Sequence, residues 1–423
     1  MWRGGFGSAD WFRGFAIGVQ SGNNVNSQTM EHVRLEDQAV CGFQNDGQSM
    51  SVRGLTVRGA VPAVRNTSSY GFLALVDSQF EGQGAASGMA AIENQGPLFA
   101  RHVRAPGFAT ALRTSRGTFS GGVEIDEFVS EPVLSLFPTP KNSLCLPIKE
   151  TPEVVNDPPE TWANVQKFHK GGEDYSPAIQ AAIDSGAATV YFPRGAYKIG
   201  KTVVVRGKVR RITGLNFWFG DSAHGEPDHI PTFRIEDGDA PTVVMEDFSG
   251  GFSGRVFFEY ATARTLVIRE CDGIPSRFHG TGDVFMEDTT GSPHGGIFVF
   301  SGRQKVWARQ FNVEVFINEK IGATLENRGS DVWILGLKTE QGNRLVATSE
   351  GGRTKIIGGL VYTVNSHAGR PGFINDNSWF SMSILERCFV GTPMNPAVRE
   401  IRRSASKDVG KTSVIGLYVG YPK

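Results

Sequence analysis

Two glutamates close two nearly repeated phrases. The chain reads VWARQFNVE from Val306 to Glu314 and VWILGLKTE from Val332 to Glu340, 26 positions later. Two carboxylates at equivalent places in a repeat could serve glycoside hydrolysis. One acid protonates the leaving oxygen, and one ionised group acts at the sugar carbon or its water. Side chains alternate along a strand, so Trp333, Leu335 and Leu337 are predicted to share an inward face. Val332, Ile334, Gly336, Lys338 and Glu340 share the other. In the first phrase Trp307 and Phe311 take the inward parity, and Gln310, Asn312 and Glu314 the outward one. Both glutamates are thus expected on an outer surface, one strand apart, roughly 5 Å between backbones. Trp307 and Trp333 read as a stacked core pair. Outward glutamates on a repeat are more often simply solvated, so the pattern alone does not decide for catalysis.

What positions them is a repeat that runs through the chain. HVRLED, GLTVRG, SQFEGQ and HVRAPG align Leu35, Val57, Phe80 and Val103 at steps of 22, 23 and 23. Later, VVMEDFSGG from Val243, LVIRECDGI from Leu266 and VFMEDTTGS from Val284 lead into the two glutamate phrases and then TKIIGGLVY from Thr354. Short strands at this period, with no helix per unit and no Leu/Asn pattern of a leucine-rich repeat, indicate an all-β solenoid. Each turn buries its inward residues against the turns above and below.

Lysine plus arginine and aspartate plus glutamate number 43 each, which removes the basic excess that nucleic acid or an anionic membrane would require. No stretch approaches the ~20 apolar residues of a membrane-spanning helix. Cys41, Cys145, Cys271 and Cys388 are scattered and read as free buried thiols. No metal or cofactor is expected. The eight histidines form no close pair, and His294 and His367 read as loop residues. Glu246, Asp247, Glu270, Glu287 and Asp288 recur without the spacing of a calcium loop.

Between residues 131 and 161 seven prolines interrupt the pattern, Pro132, Pro138, Pro140, Pro147, Pro152, Pro158 and Pro159. Proline cannot donate to a ladder, so this segment reads as a linker between a first β-helix (1–130) and a second (162–423). A helix is predicted over 176–185, with Ser176 as its cap and Pro177 at its first position. Its apolar stripe is Ala178, Ile179, Ala182 and Ile183, and it would cover the open end of the second solenoid.

The stretch Asp174–Val205, with its AIQAAI helix, VYFP strand and Gly-x-Tyr turn, resembles the opening of the pectate-lyase-like superfamily of right-handed parallel β-helices. Two β-helices joined by a long linker resemble, more narrowly, glycoside hydrolase family 55, exo-acting β-1,3-glucanases. That resemblance implies an inverting β-glucan hydrolase in which Glu340 is the general acid and Glu314 its ionised partner. It also implies that polar residues of the first helix hold the attacking water, for which Asn26, Gln48 and Ser49 are the candidates. Tyr362, one turn beyond Glu340, and Trp379, after a polar loop, are candidate sugar contacts, as is Lys338. VFINEK after Glu314 departs from the aromatic and histidine residues of that family, and the interval between the glutamates is a few residues longer. No opening cap precedes the first strands, so the chain is read as amino-terminally truncated. A secreted or periplasmic location is expected if the missing part carries a signal. The expected partner is a polysaccharide, with the protein acting as a monomer. Two alternatives belong to other classes. One is a non-catalytic carbohydrate-binding or structural β-helix of adhesin or tail-fibre type. The other is a polysaccharide lyase using Lys338, Arg344 or Arg353 as base.

Overall fold

The six phrases that begin at Val243, Leu266, Val284, Val306, Val332 and Thr354 lie one on the next, in register, as parallel strands. They form the middle of a twelve-stranded sheet in a computed structural model of the chain. The structure describes residues 10–22, 26–119, 121–215, 217–219, 232–249, 258–273, 276–291, 297–315, 322–364, 366 and 369–422. The amino-terminal nine residues, most of the VFINEK string, His294 and His367 lie outside the described residues. The protein is an all-β parallel solenoid of right-handed type, with about 15 turns.

Strands of residues 11–129 form an eight-stranded and a six-stranded sheet; those of 133–420 form sheets of twelve, three and ten strands. Among the described residues no ladder joins the two sets. Each has its own interior. Leu35, Phe43, Val57, Phe80 and Ile92 belong to the first, and Ile212, Met245, Val306, Ile334 and Phe380 to the second. Leu35 pairs with Val57 and Val57 with Phe80, as the spacing predicts. Val103 departs from the predicted step, pairing with Ser78 instead of Phe80. The 3-10 turn Gly84–Gly88 lengthens that turn of the solenoid, which moves the next strand on by two residues.

The single α-helix of the described residues, Ser176–Asp184, buries Ala178, Ile179, Ala182 and Ile183 against the first strands of the second set. Its cap differs from the sequence expectation. Ser176 is already helical, and Asp174 supplies the capping carboxylate, accepting from the Ser176 amide at 2.8 Å and from its hydroxyl at 2.6 Å. The same oxygen accepts from Gly200 N, so one carboxylate ties the helix to the following turn. Gly186, at φ +85°, ends the helix.

A column of left-handed residues bends the long strands. Asp247, Glu270, Asp288, Gln310, Gly336 and Gly358 follow one another turn by turn, with φ between 46° and 77°. In the first set His32, Gly54, Asp77 and His102 do the same. Outside glycine this conformation is uncommon and falls mostly to Asn, Asp and His. One such residue breaks the alternation of faces, as a bulge does. The predicted parity is therefore inverted ahead of the corner. Val332 and Ile334 point into the solenoid, while Trp333 and Leu335 point out of it. Past the corner the predicted parity holds: Leu337 is inside and Lys338 and Glu340 are outside.

The outward residues ahead of the corner are nevertheless buried, because the two sets of strands meet there. Trp307, Trp333, Leu335, Ile357 and Leu360 pack with Phe72, Ala74, Val76 and Phe99 in a third apolar cluster. Trp307 and Trp333 are neighbours in register, as expected, but lie in this seam and not in the interior. The proline-rich segment lines the same seam. Leu146 is buried in it, and Leu144, Ile148 and Val154 pack on it. Trp307 Nε1 donates to Pro147 O at 3.0 Å and Arg309 Nη2 to Lys149 O at 2.9 Å. The prolines suit this path, since an extended strap bonded through side chains needs no regular ladder.

Candidate functional site

Past the left-handed corner both glutamate phrases turn their polar residues to the surface. Asn312 pairs with Lys338, and Val313 N donates to Lys338 O at 3.1 Å, which brings Glu314 level with Glu340. Lys338 stands between them. Its Nζ lies 3.0 Å from Glu314 Oε2 and 2.6 Å from Glu340 Oε1. Asn312 fixes the first acid further, donating from Nδ2 to Glu314 Oε2 at 3.3 Å and accepting from Glu314 N at 3.1 Å. The glutamate side chains are 21% and 30% exposed, so both are reachable from solvent. Two carboxylates expected to face one another are thus bridged by a cation, which offsets their repulsion. Both oxygens lie within 3.0 Å of one nitrogen. These two oxygens are therefore no more than about 6 Å apart.

The row continues along the solenoid axis. Glu340 pairs with Tyr362 and Tyr362 with Arg387. The Tyr362 ring meets Phe389 edge-on, with centroids 4.6 Å apart. The first set of strands reaches this row through Tyr70, whose ring lies 4.6 Å below the Arg387 guanidinium and whose carbonyl accepts from Arg387 Nη2. Phe389 and Tyr70 are both 46% exposed. Acids, a lysine and three aromatic rings therefore share one face beside the meeting of the two sets.

Trp379 is not brought into this group. It pairs with Arg353 at the opposite end of the strand that carries Tyr362, nine residues away along an extended chain. Arg353 itself is bound to Asp331, with Nε 2.5 Å from Oδ1, and is no free base. Arg344, the other arginine considered for a lyase, is half-buried, and its Nε is buried without an acceptor among the described residues.

The three candidates of the first set are tied into the fold by hydrogen bonds. Ser49 Oγ donates to Gly359 O at 2.6 Å, across the seam. Asn26 N donates to Gln48 Oε1 at 3.2 Å, and Gln48 N to Asn45 Oδ1 at 3.1 Å. Asn45 belongs to a ladder that the sequence reading passed over. Ser21 Oγ donates to Asn45, Asn45 Nδ2 to Asn66 at 3.0 Å, and Asn66 Nδ2 to Asn94 at 2.7 Å, all buried. The recurrence of Asn before a turn in NDG, NTS and NQG was the available signal.

Of the recurring acids of the second set, Glu246 joins an ion network with arginines. Glu246 pairs with Arg211 and Arg269, and Glu287 accepts from Thr151. Arg309 Nε lies 2.8 Å from Glu31 of the first set, which also binds Arg53. Glu150 of the proline-rich segment closes the network onto His32, Arg53 and Arg309. The His32 hydrogen bond and the two guanidinium groups hold the Glu150 carboxyl down at about 2. Glu31, His32 and Glu150 bring ligand atoms within 4.8 Å of one another, but two arginines already supply the positive charge there. Burial pushes Glu287 up, and burial with the neighbouring Glu246 and Glu270 pushes Asp247 up to about 6. Lys355 is a further buried charge that sequence reasoning missed. It stacks on Trp333 in register, lies 4.8 Å from the Phe99 ring, and its Nζ has no acceptor among the described residues. Burial pushes it down to about 7. Of the four free cysteines, Cys41 and Cys271 are buried as expected, whereas Cys388 is half-buried and Cys145 exposed.

No family model matches the chain, and no curated protein does. Among solved structures it is similar to a chain described as Geobacillus virus E2 ORF18. The two share 16% identity at a TM-score of 0.31, over 57% of this chain and 60% of that one. The chain thus spans less than two thirds of that relative. No helix among the described residues is long and apolar enough to cross a membrane.

Proposed function

We propose that the protein is a polysaccharide-active glycoside hydrolase built from two parallel β-helices, residues 1–130 and 162–423, joined by segment 131–161. The observation that carries this reading is the placement of Glu314 and Glu340 one turn apart on an accessible face, tied by Lys338, with Tyr362 on the next turn. Glu340, the more exposed of the pair, is the acid that delivers a proton to the leaving oxygen. Glu314, held by Asn312, is the ionised partner that stabilises the positive charge growing on the sugar. Aromatic faces beside the acids suit pyranose rings, whose C–H surfaces pack on them.

The lysine bridge favours one other reading, a β-helix that binds a glycan without turnover. An acid already shared with an ammonium must give up that bond before it donates a proton. Incubation with β-glucans and with polyuronates separates the cases. New reducing ends without absorbance at the unsaturated-uronate wavelength support hydrolysis, absorbance there supports a lyase, and binding without products supports the non-catalytic reading.

A further inference from the structure

Arg387 is a cation that the hydrolytic pair does not use. It follows Glu340 and Tyr362 in the outward row, two turns from the acid. Among the described residues no carboxylate pairs with it. Its two hydrogen bonds go to backbone carbonyls, Nη1 to Glu386 O at 3.2 Å and Nη2 to Tyr70 O, and its Nε has no acceptor. Arg53, Arg211, Arg269 and Arg309, at the seam, each have a glutamate, whereas half-buried Arg101 is bound by Ser143, the Leu144 carbonyl and Cys145. The neighbouring Glu386 cannot serve. It is buried, and accepts instead from Thr363 Oγ1 and Met394 N, both at 2.8 Å. The guanidinium is also held in place over the Tyr70 ring, with Cζ 4.6 Å from its centroid, and Phe389 of the same strand meets Tyr362 of the preceding turn edge-on. The Nε edge is buried, but each Nη keeps a second N–H, and a guanidinium so fixed, short of an anion and beside aromatic rings, is suited to a carboxylate carried on a sugar ring. One solenoid turn is also about as tall as one pyranose unit is long, so a glycan lying along the axis presents successive sugars to successive turns.

We infer that Arg387 is a specificity-determining subsite for the carboxylate of an acidic glycan, which rests on the glycan reading of the Glu340 row. The neutral β-glucan implied by the family resemblance would leave this guanidinium without its counter-ion. The acidic sugar would sit two turns from the scissile bond, with Tyr70, Tyr362 and Phe389 against its ring faces.

The test is binding of the full chain to a polyuronate and to the same polymer after reduction of its carboxyl groups, measured by calorimetry. The unmodified protein should bind the acidic polymer about 10- to 100-fold more tightly than the reduced one, the range for a charge-assisted contact. Arg387→Gln should erase that difference while leaving the weaker binding of the reduced polymer in place, which also reports that the variant is folded. Arg387→Lys should restore only part of it, since a point charge lacks the fork. Should either variant fail to fold, a salt titration of the unmodified chain serves: affinity for the acidic polymer should fall with salt, and that for the reduced one should not. Equal affinity for both polymers overturns the assignment of Arg387 and leaves the glycan reading standing. Binding of neither, nor of a β-glucan, overturns both. A sulfated glycan held as tightly as the uronate, and equally lost in Arg387→Gln, overturns the choice of a carboxylate.

Discussion

The two halves of the repeated phrase have opposite fates. Ahead of Gln310 and Gly336 it places Trp307, Arg309, Trp333 and Leu335 in the seam where the two sets of strands meet, at 4% exposure or less. Behind them it places Asn312, Glu314, Lys338 and Glu340 on a face that solvent reaches. The strands are continuous through both halves, and what separates them is one residue in left-handed conformation per turn. Side chains that leave the solenoid before the corner meet the neighbouring strands and act in cohesion. Those that leave after it reach solvent and bond to one another.

The largest effect should come from the corner itself. A Cβ at Gly336 would lie 2.0 Å from Thr29 Oγ1 in the first set, at φ +77°. Gly336→Val therefore combines backbone strain with a clash at the seam, and should cost about 3 kcal/mol or more of unfolding free energy in a denaturant titration. A loss under about 1 kcal/mol would show that the corner does not seat one set on the other.

A smaller effect, opposite in sign, is expected from the seam's unpartnered amine. Burial and the nearby Arg101 hold Lys355 down at about 7, below its ~10.4 in an unfolded chain. The unfolded chain then binds that proton more tightly. Stability from this group rises with pH between about 7 and 10 and is at its lowest below 7. Lys355→Met should stabilise the protein at pH 6 by roughly 2 kcal/mol, and by much less at pH 10. Equal melting shifts at the two pH values would contradict a buried, unpaired lysine. At the exposed end of the phrase, Glu340→Gln should change stability by no more than about 0.5 kcal/mol, as surface substitutions do.

This contrast also explains how much the sequence allowed. The period was legible because stacked turns repeat apolar residues at fixed steps, and the six phrases from Val243 to Thr354 are in register as read. The helix Ser176–Asp184 was legible because proline and a 3.6-residue stripe are local signals. The inverted parity of Trp333 and Leu335 was not, because a left-handed Gln310 looks like any other polar strand residue. Only Gly336 and Gly358 hinted at the corner. Tyr362 was placed correctly beside Glu340 by counting one turn past the corner, where alternation resumes. Trp379 follows a polar loop, and that context says nothing about which end of a strand a residue occupies; it lies at the end away from Tyr362. Lys338 was singled out, but its bridge needs three side chains from two turns and has no sequence signature. Arg387 was passed over because arginine on a strand normally finds an acid, and its lack of one is visible only in three dimensions.

The most direct test of the account is hydrolysis of one polysaccharide by the parent and by Glu340→Gln, with reducing ends and melting followed on the same samples. The amide keeps the shape and cannot deliver a proton, so turnover should fall by about 10²–10⁴ while the melting curve stays with the parent. Full activity in Glu340→Gln, or loss of activity only in step with loss of folding, would contradict it: the acids at the ends of the two phrases would then be surface residues of the solenoid.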